Sequence, residues 1–414
     1  MANKPAEPPE HRDVFVIATL DTKGAEAAYV RDLLAHYGIG VQLVDAGCLT
    51  PPTVQPTVDR RELFAATGED SERLAAAGDR GAAVSAAARA AAVFIERAHA
   101  NQQVAGVIAI GGSAGTTIGT AAMRALPIGI PKVMVSTLAS GEVRHYVGDK
   151  DILMLNAIVD IAGLNRITRE VLGSAARAIA GMVLLEKPEA SDASRPLVAA
   201  TMFGVTTPCV EAARRVIEAA GYEVLVFHAT GSGGRAMESL VRDGMFAGVL
   251  DITTTELADE LVGGVLSAGP ERLTAAARAG VPQVVSVGAT DMVNFHAIET
   301  VPERFQQRLL YRHNPSVTLM RTTAEECAQI GTDIGRKLAA AIGPVTAFLP
   351  RQGVSAIDRE GQPFDDPLAR TALFEAIRTT GKSLDVRELD LHINDPAFAT
   401  ALADRLLEMM AAAG

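Results

Sequence analysis

The chain has 414 residues, too many for one ordinary hydrophobic core, so its length predicts about two domains. Its formal net charge of −11 argues against nucleic acid or an anionic membrane surface as the main partner. The three cysteines are scattered without a zinc-binding motif, and no apolar run approaches the roughly 20 residues of a membrane span. These features are typical of a protein of the reducing cytoplasm.

The first residues favour a parallel strand–helix–strand unit. Residues 1–12 are polar and proline-rich, and we expect a disordered tail there. A buried strand is predicted at residues 13–20, a helix at residues 26–37 and a second strand at residues 39–45. This order implies a right-handed βαβ unit whose loops lie at the carboxyl edge of the sheet, where α/β proteins bind ligands.

The loop after the first strand carries polar residues that suit a ligand. Lys23 could meet a phosphate, and Asp21 could bind a metal ion or a hydroxyl group. Thr19 and Thr22 lie on the same loop. The alternative is that Asp21 or Thr22 caps the following helix while the lysine is solvated.

Residues 48–79 form a long excursion with little periodicity, which favours a functional cover or an oligomer contact. Asp59, Arg60 and Arg61 could reach a ligand from it, although a surface ion pair is the stronger expectation. An alanine-rich helix follows at residues 81–100.

Residues 104–120 read VAGVIAIGGSAGTTIGT, an apolar strand that ends in a glycine-rich turn before a helix. Such a turn presents backbone N–H groups at the positive end of the helix, where a phosphate is stabilised. Three glycines would let the backbone approach it, and three hydroxyls would add donors: Gly111, Gly112, Gly115, Ser113, Thr116 and Thr117. The alternative is a tight turn without a ligand, and the turn lacks the lysine of a Walker loop.

The next strand, at residues 131–137, runs into Ser140 and Gly141 at the same sheet edge. An apolar stretch at residues 151–161 and a helix at residues 163–182 complete the first domain. Residues 187–196 are rich in proline and polar residues and predict a linker.

The second half repeats the order of the first, with VAATMFGV, YEVLVFHATG, FAGVLDITTT and PQVVSVGATD matching its first four strands. The stretch SVTLMRTTAEECAQIG matches the last strand and helix of the first half. We therefore predict an α/β protein of two Rossmann-like, doubly wound domains at residues 13–186 and 197–414. They would be related by internal duplication and separated by an interdomain cleft.

A second anion or substrate site is predicted in the second half. The turn HATGSGGR follows an apolar strand, and Arg235 could bind an anion in bidentate fashion. The predicted site consists of Gly231, Ser232, Gly233, Gly234, Arg235, Thr253, Thr254, Asn294 and Asn314. The alternative is a glycine-rich turn with a surface arginine.

Asp291, His296 and His313, with Asn294 and Asn314, form the densest set of acid–base or ligand-capable residues. A histidine and a carboxylate could make a general-base pair or help to hold a metal ion. Their spacing fits no metal motif, and capping or cleft-lining roles are the stronger alternative.

Six motifs together resemble the Tm-1-like ATP-binding family over residues 12–410: VFVIATLDTKGAE, IAIGGSAGTT, PKVMVSTLASGEV, IVDIAGLNRI, HATGSGGRAMESL and RHNPSVTLMRTT. The resemblance implies ATP, with Mg²⁺ as an added expectation, against residues 19–24, including Gly24, and residues 111–117. It also implies a TIM-barrel domain in longer relatives, so a separate TIM-barrel protein is an expected partner.

The sequence thus predicts a cytoplasmic ATP-binding protein whose reaction is not specified. One alternative is an enzyme, such as a nucleotide-dependent transferase or hydrolase, acting on a small acidic or phosphorylated metabolite in the cleft. The other is a non-catalytic regulatory or partner-binding protein. The alanine-rich helices favour a homodimer, and neither nucleic acid nor a membrane is an expected partner.

Overall fold

The computed structural model describes residues 12–185 and 195–413. Nearly all of the predicted tail and most of the predicted linker lie outside these described residues. The described chain forms two compact units, which we call unit 1 (residues 12–185) and unit 2 (residues 195–413). Within these ranges, no helix combines the length and hydropathy needed to cross a bilayer.

Unit 1 contains a five-stranded parallel sheet in the order β2-β1-β3-β4-β5. Its strands are β1 (Asp13–Ala18), β2 (Val41–Asp45), β3 (Val104–Gly111), β4 (Lys132–Ser136) and β5 (Leu153–Asn156). Its helices are α1 (Leu20–His36), α2 (Arg60–Ala65), α3 (Ser71–Ala77), α4 (Arg80–Ala100), α5 (Ser113–Arg124), α6 (Arg144–Val147) and α7 (Arg166–Leu184).

The sheet of unit 1 is buried on both faces. Phe15 and Ile17 of β1 enter one apolar cluster with α4 and α5, whereas Val14 and Val16 enter another with α1 and α7. Alternate residues of a strand point to opposite faces, so a strand covered on both sides reads as a continuous apolar run.

Two stretches of unit 1 differ from the sequence prediction. The predicted loop after β1 is instead a helical turn that opens α1, because the backbone N–H groups of Thr22 and Lys23 both donate to the carbonyl of Thr19. The turn is kinked at Lys23, whose φ is −124°. The excursion at residues 48–79 contains α2 and α3, which begin after the aspartate caps Asp59 and Asp70.

Unit 2 contains a six-stranded parallel sheet in the order β14-β13-β9-β8-β6-β7 and a three-stranded antiparallel sheet in the order β10-β12-β11. Its strands are β6 (Leu197–Met202), β7 (Glu223–His228), β8 (Gly248–Thr253), β9 (Gln283–Gly288), β10 (Met292–Phe295), β11 (Leu310–Asn314), β12 (Val317–Arg321), β13 (Val345–Pro350) and β14 (Asp385–Leu389). Its α-helices are α8 (Thr207–Ala219), α9 (Ser232–Arg242), α10 (Glu256–Val262), α11 (Ala275–Ala279), α12 (Ala324–Ala339), α13 (Pro367–Thr380) and α14 (Pro396–Ala413). Two short 3₁₀ helices span Ile298–Thr300 and Glu303–Phe305.

The first four strands of each parallel sheet follow the same order, β2-β1-β3-β4 in unit 1 and β7-β6-β8-β9 in unit 2. The predicted match for the last strand was wrong. β12, within SVTLMRTT, pairs antiparallel with β10 and β11, and β13 takes the place beside β9. The α/β fold with parallel sheets is confirmed, whereas descent by duplication and the interdomain cleft stay predictions.

Candidate functional site

A cavity of about 70 Å³ opens at the carboxyl edge of the sheet in unit 1. We call it the switch-point cavity, because it lies beside the neighbouring strands β1 and β3. In a sheet of this order, the chain leaves those two strands on opposite sides, and doubly wound proteins bind ligands there. Its lining comes from the start of α1, the segment after β2, and the starts of α4 and α5: Thr19, Asp21, Thr22, Ala46, Cys48, Leu49, Arg80, Ala83, Val84, Ala114 and Ile118.

The start of α5 carries no side-chain cap. Its N-cap residue is Gly112, and the N–H of Thr116 makes the first intrahelical bond, to the carbonyl of Gly112 over 2.8 Å. The first N–H groups of a helix have no intrahelical acceptor and carry partial positive charge. A Cβ at Gly112 would meet only the Thr137 hydroxyl, at 3.6 Å, so this position is open to an approaching group.

Gly111 and Gly115 have a packing role. A Cβ on Gly111 would lie 2.7 Å from the Cα of Gly115, and one on Gly115 would lie 2.9 Å from the carbonyl oxygen of Ile110. A Cβ on Gly119 would likewise lie 2.4 Å from that of Ala109. The glycines at this spacing let α5 pack closely on β3, which accounts for part of the glycine pattern without a ligand.

The hydroxyls of the turn are used locally. Thr116 is fully buried, and its Oγ1 lies 2.8 Å from the Gly112 carbonyl and 2.6 Å from Oγ of Ser136. The Thr117 hydroxyl donates to the Ser113 carbonyl over 3.0 Å. Ser113 itself is exposed at the first position of α5. A phosphate at this turn would therefore be bound chiefly by backbone N–H groups.

Asp21 has one satisfied and one unsatisfied carboxylate oxygen. Its Oδ2 accepts from the backbone N–H groups of Leu49 and Thr50 over 3.2 and 3.4 Å. Its Oδ1 is buried and has no hydrogen-bond partner among the described residues. A buried polar atom left without a partner costs free energy. The free Oδ1 of Asp21 therefore indicates that a bound ligand or ion provides its partner.

Arg60 lies next to Asp21 and is also incompletely paired. Its Nε donates to Asp45 Oδ2 over 2.7 Å, a largely buried ion pair where the sequence predicted a surface pair. Its Nη2 is buried without a partner in the described chain. A Cβ at Gly47 would lie 2.8 Å from Cγ of Asp21 and 2.9 Å from Nη2 of Arg60, so only glycine lets these two groups converge.

A larger cavity of about 350 Å³ adjoins the switch-point cavity and shares Leu49 with it. The excursion builds its wall: Asp45, Leu49, Thr50, Pro51, Pro52, Asp59, Arg60, Arg61, Ser71, Glu72 and Ala75. This volume falls in the range of small-molecule sites, and the lining combines apolar residues with a few charged ones.

Two cations differ in their freedom to meet a phosphate. The ammonium group of Lys23 donates to the carbonyl of Ile161. This bond occupies the lysine that was predicted to contact a phosphate. Arg80 lines the switch-point cavity, and within residues 12–185 and 195–413 its guanidinium makes no hydrogen bond or ion pair. No sequence motif marks Arg80, because only the fold brings the start of α4 to this edge.

Other predicted residues of unit 1 lie beside or away from the cavity. Thr19 and Thr22 line it and share a hydrogen bond of 2.8 Å between their hydroxyls. Gly24 packs against Thr53, where a Cβ would lie 2.1 Å from Oγ1. Ser140 and Gly141 are exposed in the loop after β4 and are not part of the lining.

The glycine turn of unit 2 already holds a carboxylate of the chain. The backbone N–H groups of Gly231 and Gly234 donate to Glu256 Oε1 over 2.6 and 3.1 Å. Glu256 in turn accepts from Nε of the fully buried Arg272, over 2.6 Å. Arg235 donates to the Ser267 carbonyl, and Ser232 opens α9 behind the turn, followed by Gly233.

The buried centre of unit 2 continues around Arg272, whose guanidinium also bonds Asp251 over 2.5 and 2.7 Å. The predicted ligand residues Thr253 and Thr254 are fully buried, with hydroxyls bonded to Thr206 and to the Ser286 carbonyl. The position that corresponds to the switch-point cavity of unit 1 is therefore filled by an ion-pair cluster.

The predicted acid–base set does not assemble. Asp291 precedes β10, whereas His296 follows it, so roughly 17 Å of extended chain separates them. His296 and His313 are exposed. Asn314 forms a local turn in which its Oδ1 accepts from the N–H of Ser316. Among the described residues, no three His, Cys, Asp or Glu side chains converge to hold a metal ion.

Asp291 and Asp259 are buried acids of unit 2. Burial, followed by repulsion from Asp358, raises the pKa of Asp291 to about 7, and its Oδ2 accepts from the Ser355 hydroxyl. Burial likewise raises the pKa of Asp259 to about 7. Asn294, a predicted ligand residue, donates from Nδ2 to Asp259 over 2.7 Å. Its amide group is therefore bonded to a buried acid of the chain.

The fold and its open edge define a two-unit α/β protein with a candidate ligand site in unit 1. The uncharacterised protein family UPF0261 matches both parts of the chain, its N-terminal domain over residues 12–188 and its C-terminal domain over residues 195–410. The chain belongs to the UPF0261 family.

Relatives extend over nearly the whole chain. A UPF0261 protein of Clostridium tetani is 48% identical over 402 residues, covering 97% of this chain and 99% of that protein. The ToMV resistance protein Tm-1 of Solanum lycopersicum is 41% identical over 96% of this chain, which spans 55% of the tomato protein. A solved UDP-N-acetylglucosamine 2-epimerase is 11% identical over 67% of this chain and 79% of its own, at a TM-score of 0.24, too low to bear on function.

Proposed function

We propose that unit 1 binds ATP at the carboxyl edge of its sheet, with a phosphate in the switch-point cavity. The observation that carries this proposal is the buried, unpartnered Oδ1 of Asp21 beside the uncapped start of α5. The resemblance to the Tm-1-like ATP-binding family names the nucleotide. The same chemistry would suit any nucleoside polyphosphate.

The phosphate contacts would come from two sources. The free N–H groups at the start of α5 supply donors and the positive end of the helix dipole. The unpaired guanidinium of Arg80 supplies a charge-assisted, bidentate partner. At about 70 Å³, the switch-point cavity suits a phosphate and not a whole nucleotide, so the nucleoside would occupy the adjoining cavity of about 350 Å³.

Asp21 would act through a metal ion. Mg²⁺ binds oxygen ligands and is commonly held by one or two carboxylates together with phosphates of the substrate. A single free carboxylate oxygen fits that pattern better than a resident metal site. Arg60, with its unpaired Nη2, would offer a further donor to the nucleotide where the two cavities adjoin.

This proposal covers binding and assigns no reaction. The shared strand order β2-β1-β3-β4 and β7-β6-β8-β9 also supports our inference that the two units descend from one Rossmann-like unit. After such a duplication, the carboxyl edge of the sheet would have stayed open to a ligand in unit 1, whereas Glu256 and Arg272 would have come to occupy it in unit 2.

Isothermal titration calorimetry of the full chain with ATP, with and without Mg²⁺, tests the proposal. We expect Arg80→Gln to weaken binding about tenfold or more in both conditions, because it removes hydrogen bonds to a charged group. Asp21→Asn should weaken binding only with Mg²⁺, since an amide oxygen can still accept from Leu49 and Thr50.

The matched control is Arg97→Gln, an exposed arginine about 25 Å further along the same helix. It should bind ATP like the parent protein. Absence of ATP binding by the parent protein, or equal losses in Arg80→Gln and Arg97→Gln, would overturn the proposal.

A further inference from the structure

A cavity of about 280 Å³ lies in unit 2 at the carboxyl end of β13. Arg351 follows the last residue of that strand, the first turn of α13 forms one wall, and Glu388 of β14 faces them. We call it the arginine pocket, and its lining is Arg351, Pro367, Arg370, Thr371, Phe374, Arg378 and Glu388. None of these residues belongs to a site predicted from the sequence.

The lining of the arginine pocket is rich in guanidinium groups. Three guanidinium groups line it against the single carboxylate of Glu388, which pairs with Arg378. The pocket also contains the start of α13, a helix of 14 residues with no acidic residue in its first turn. Asp366 caps this helix, and its carboxylate accepts from the N–H of Ala369 over 3.0 Å, so the attraction for an anion comes from the guanidinium groups.

The buried Arg370 is fixed and still has free donors. Arg370 uses Nη1 for both of its carboxylate partners, Asp358 at 2.7 Å and Asp365 at 2.9 Å. Its Nε and Nη2 make no bond with the described residues. A guanidinium has five N–H groups, so a fixed arginine can hold a second anion without moving.

Arg351 differs because its side chain is exposed and makes no hydrogen bond or ion pair within the described chain. Phe374 and Pro367 provide an apolar surface on the same cavity. A small volume, an apolar wall and converging arginines fit a compact organic anion with two negative charges.

We infer that the arginine pocket binds a small phosphate monoester, with the phosphate held by Arg351 and Arg370 and the carbon chain on Phe374. This site lies in unit 2 and is separate from the nucleotide site proposed for unit 1. The chain would thus bind two different phosphorylated ligands.

Calorimetric titration of the full chain with glycerol 3-phosphate, inorganic phosphate and succinate tests this inference. Glycerol 3-phosphate should bind more tightly than inorganic phosphate, which lacks the carbon chain, and than succinate, which lacks the phosphate. Arg351→Gln should weaken its binding at least tenfold. Arg378→Gln should weaken it by a smaller factor, because Glu388 already uses part of that guanidinium.

The matched control is Arg336→Gln, since Arg336 is an exposed arginine of unit 2 paired with Asp333. For the buried Arg370, the variant is Arg370→Lys, because it keeps the positive charge that pairs with Asp358 and Asp365. Thermal melting verifies that this variant is folded. If Arg80→Gln weakened the binding of glycerol 3-phosphate and Arg351→Gln did not, the anion would bind in unit 1 and the inference would be overturned. No binding of glycerol 3-phosphate by the parent protein, or equal affinities in Arg351→Gln and Arg336→Gln, would also overturn it.

Discussion

The backbone N–H of Gly231 donates to Oε1 of Glu256 over 2.6 Å, so a carboxylate of the chain itself occupies the glycine-rich turn of unit 2. Gly231 has a φ of 81°, and a Cβ there would lie 2.6 Å from the Ser267 carbonyl oxygen. The turn is therefore built to close around an internal anion. At the corresponding turn of unit 1, no side chain of the described residues caps the start of α5.

Glu256→Ala should lower the free energy of unfolding by about 3 kcal/mol. The change leaves the N–H groups of Gly231 and Gly234 without an acceptor and removes one buried partner of Arg272. Urea denaturation followed by circular dichroism measures the loss. The exposed Glu299→Ala is the control and should change stability by less than about 0.5 kcal/mol. A loss below about 1 kcal/mol for Glu256→Ala would show that the cluster does not depend on this carboxylate.

The sequence predicted the elements whose signal is local. Apolar runs such as VAGVIAI identify buried strands, and the glycines at their ends identify strand-to-helix turns. The acceptor for Gly231 lies 25 residues away, at Glu256, and no periodicity reports such a pair. The antiparallel pairing of β12 with β10 and β11 is missed for the same reason, because partner choice depends on the tertiary fold.

Gly112 and Gly115 should respond differently to alanine. Gly115→Ala places a Cβ 2.9 Å from the rigid carbonyl of Ile110, so we expect a loss of about 1–3 kcal/mol in unfolding free energy. Gly112→Ala meets only the Thr137 hydroxyl at 3.6 Å and should keep stability within about 1 kcal/mol. It should nevertheless weaken ATP binding, because the methyl group covers the start of α5. Urea denaturation and calorimetry on both variants give the comparison, and intact ATP binding by Gly112→Ala would contradict the site.

The contribution of the buried Asp259 to the unfolding free energy should fall as the pH rises from about 4 to about 7. Burial raises the pKa of Asp259 from 3.8 to about 7, so the folded state retains a proton that the unfolded chain releases near pH 4. The stabilisation is complete below pH 4 and is lost as the pH approaches 7. Asp291, whose pKa is raised to about 7 by burial and by Asp358, should act in the same direction.

Asp259→Asn removes the share of Asp259 in this pH dependence. Urea denaturation at pH 5 and pH 8 should show a smaller difference in the variant than in the parent protein. The exposed Asp404→Asn should keep the parent's difference. An unchanged difference in Asp259→Asn would mean that the buried carboxyl is ionised throughout this range.

The thiols should react only when the chain unfolds. Cys48 lies on the switch-point cavity, where burial and then the charge of Asp21 raise its pKa to about 11. Burial also raises the pKa of Cys209 and of Cys327. The thiolate is the reactive form, so a neutral buried thiol is slow to exchange with a disulfide reagent. Titration with 5,5′-dithiobis(2-nitrobenzoic acid) at pH 8 should detect almost no thiol in the folded protein and all three in urea. A fast-reacting thiol that Cys48→Ser removes would show that the cavity opens to solvent, and protection by ATP would then report occupancy of the site directly.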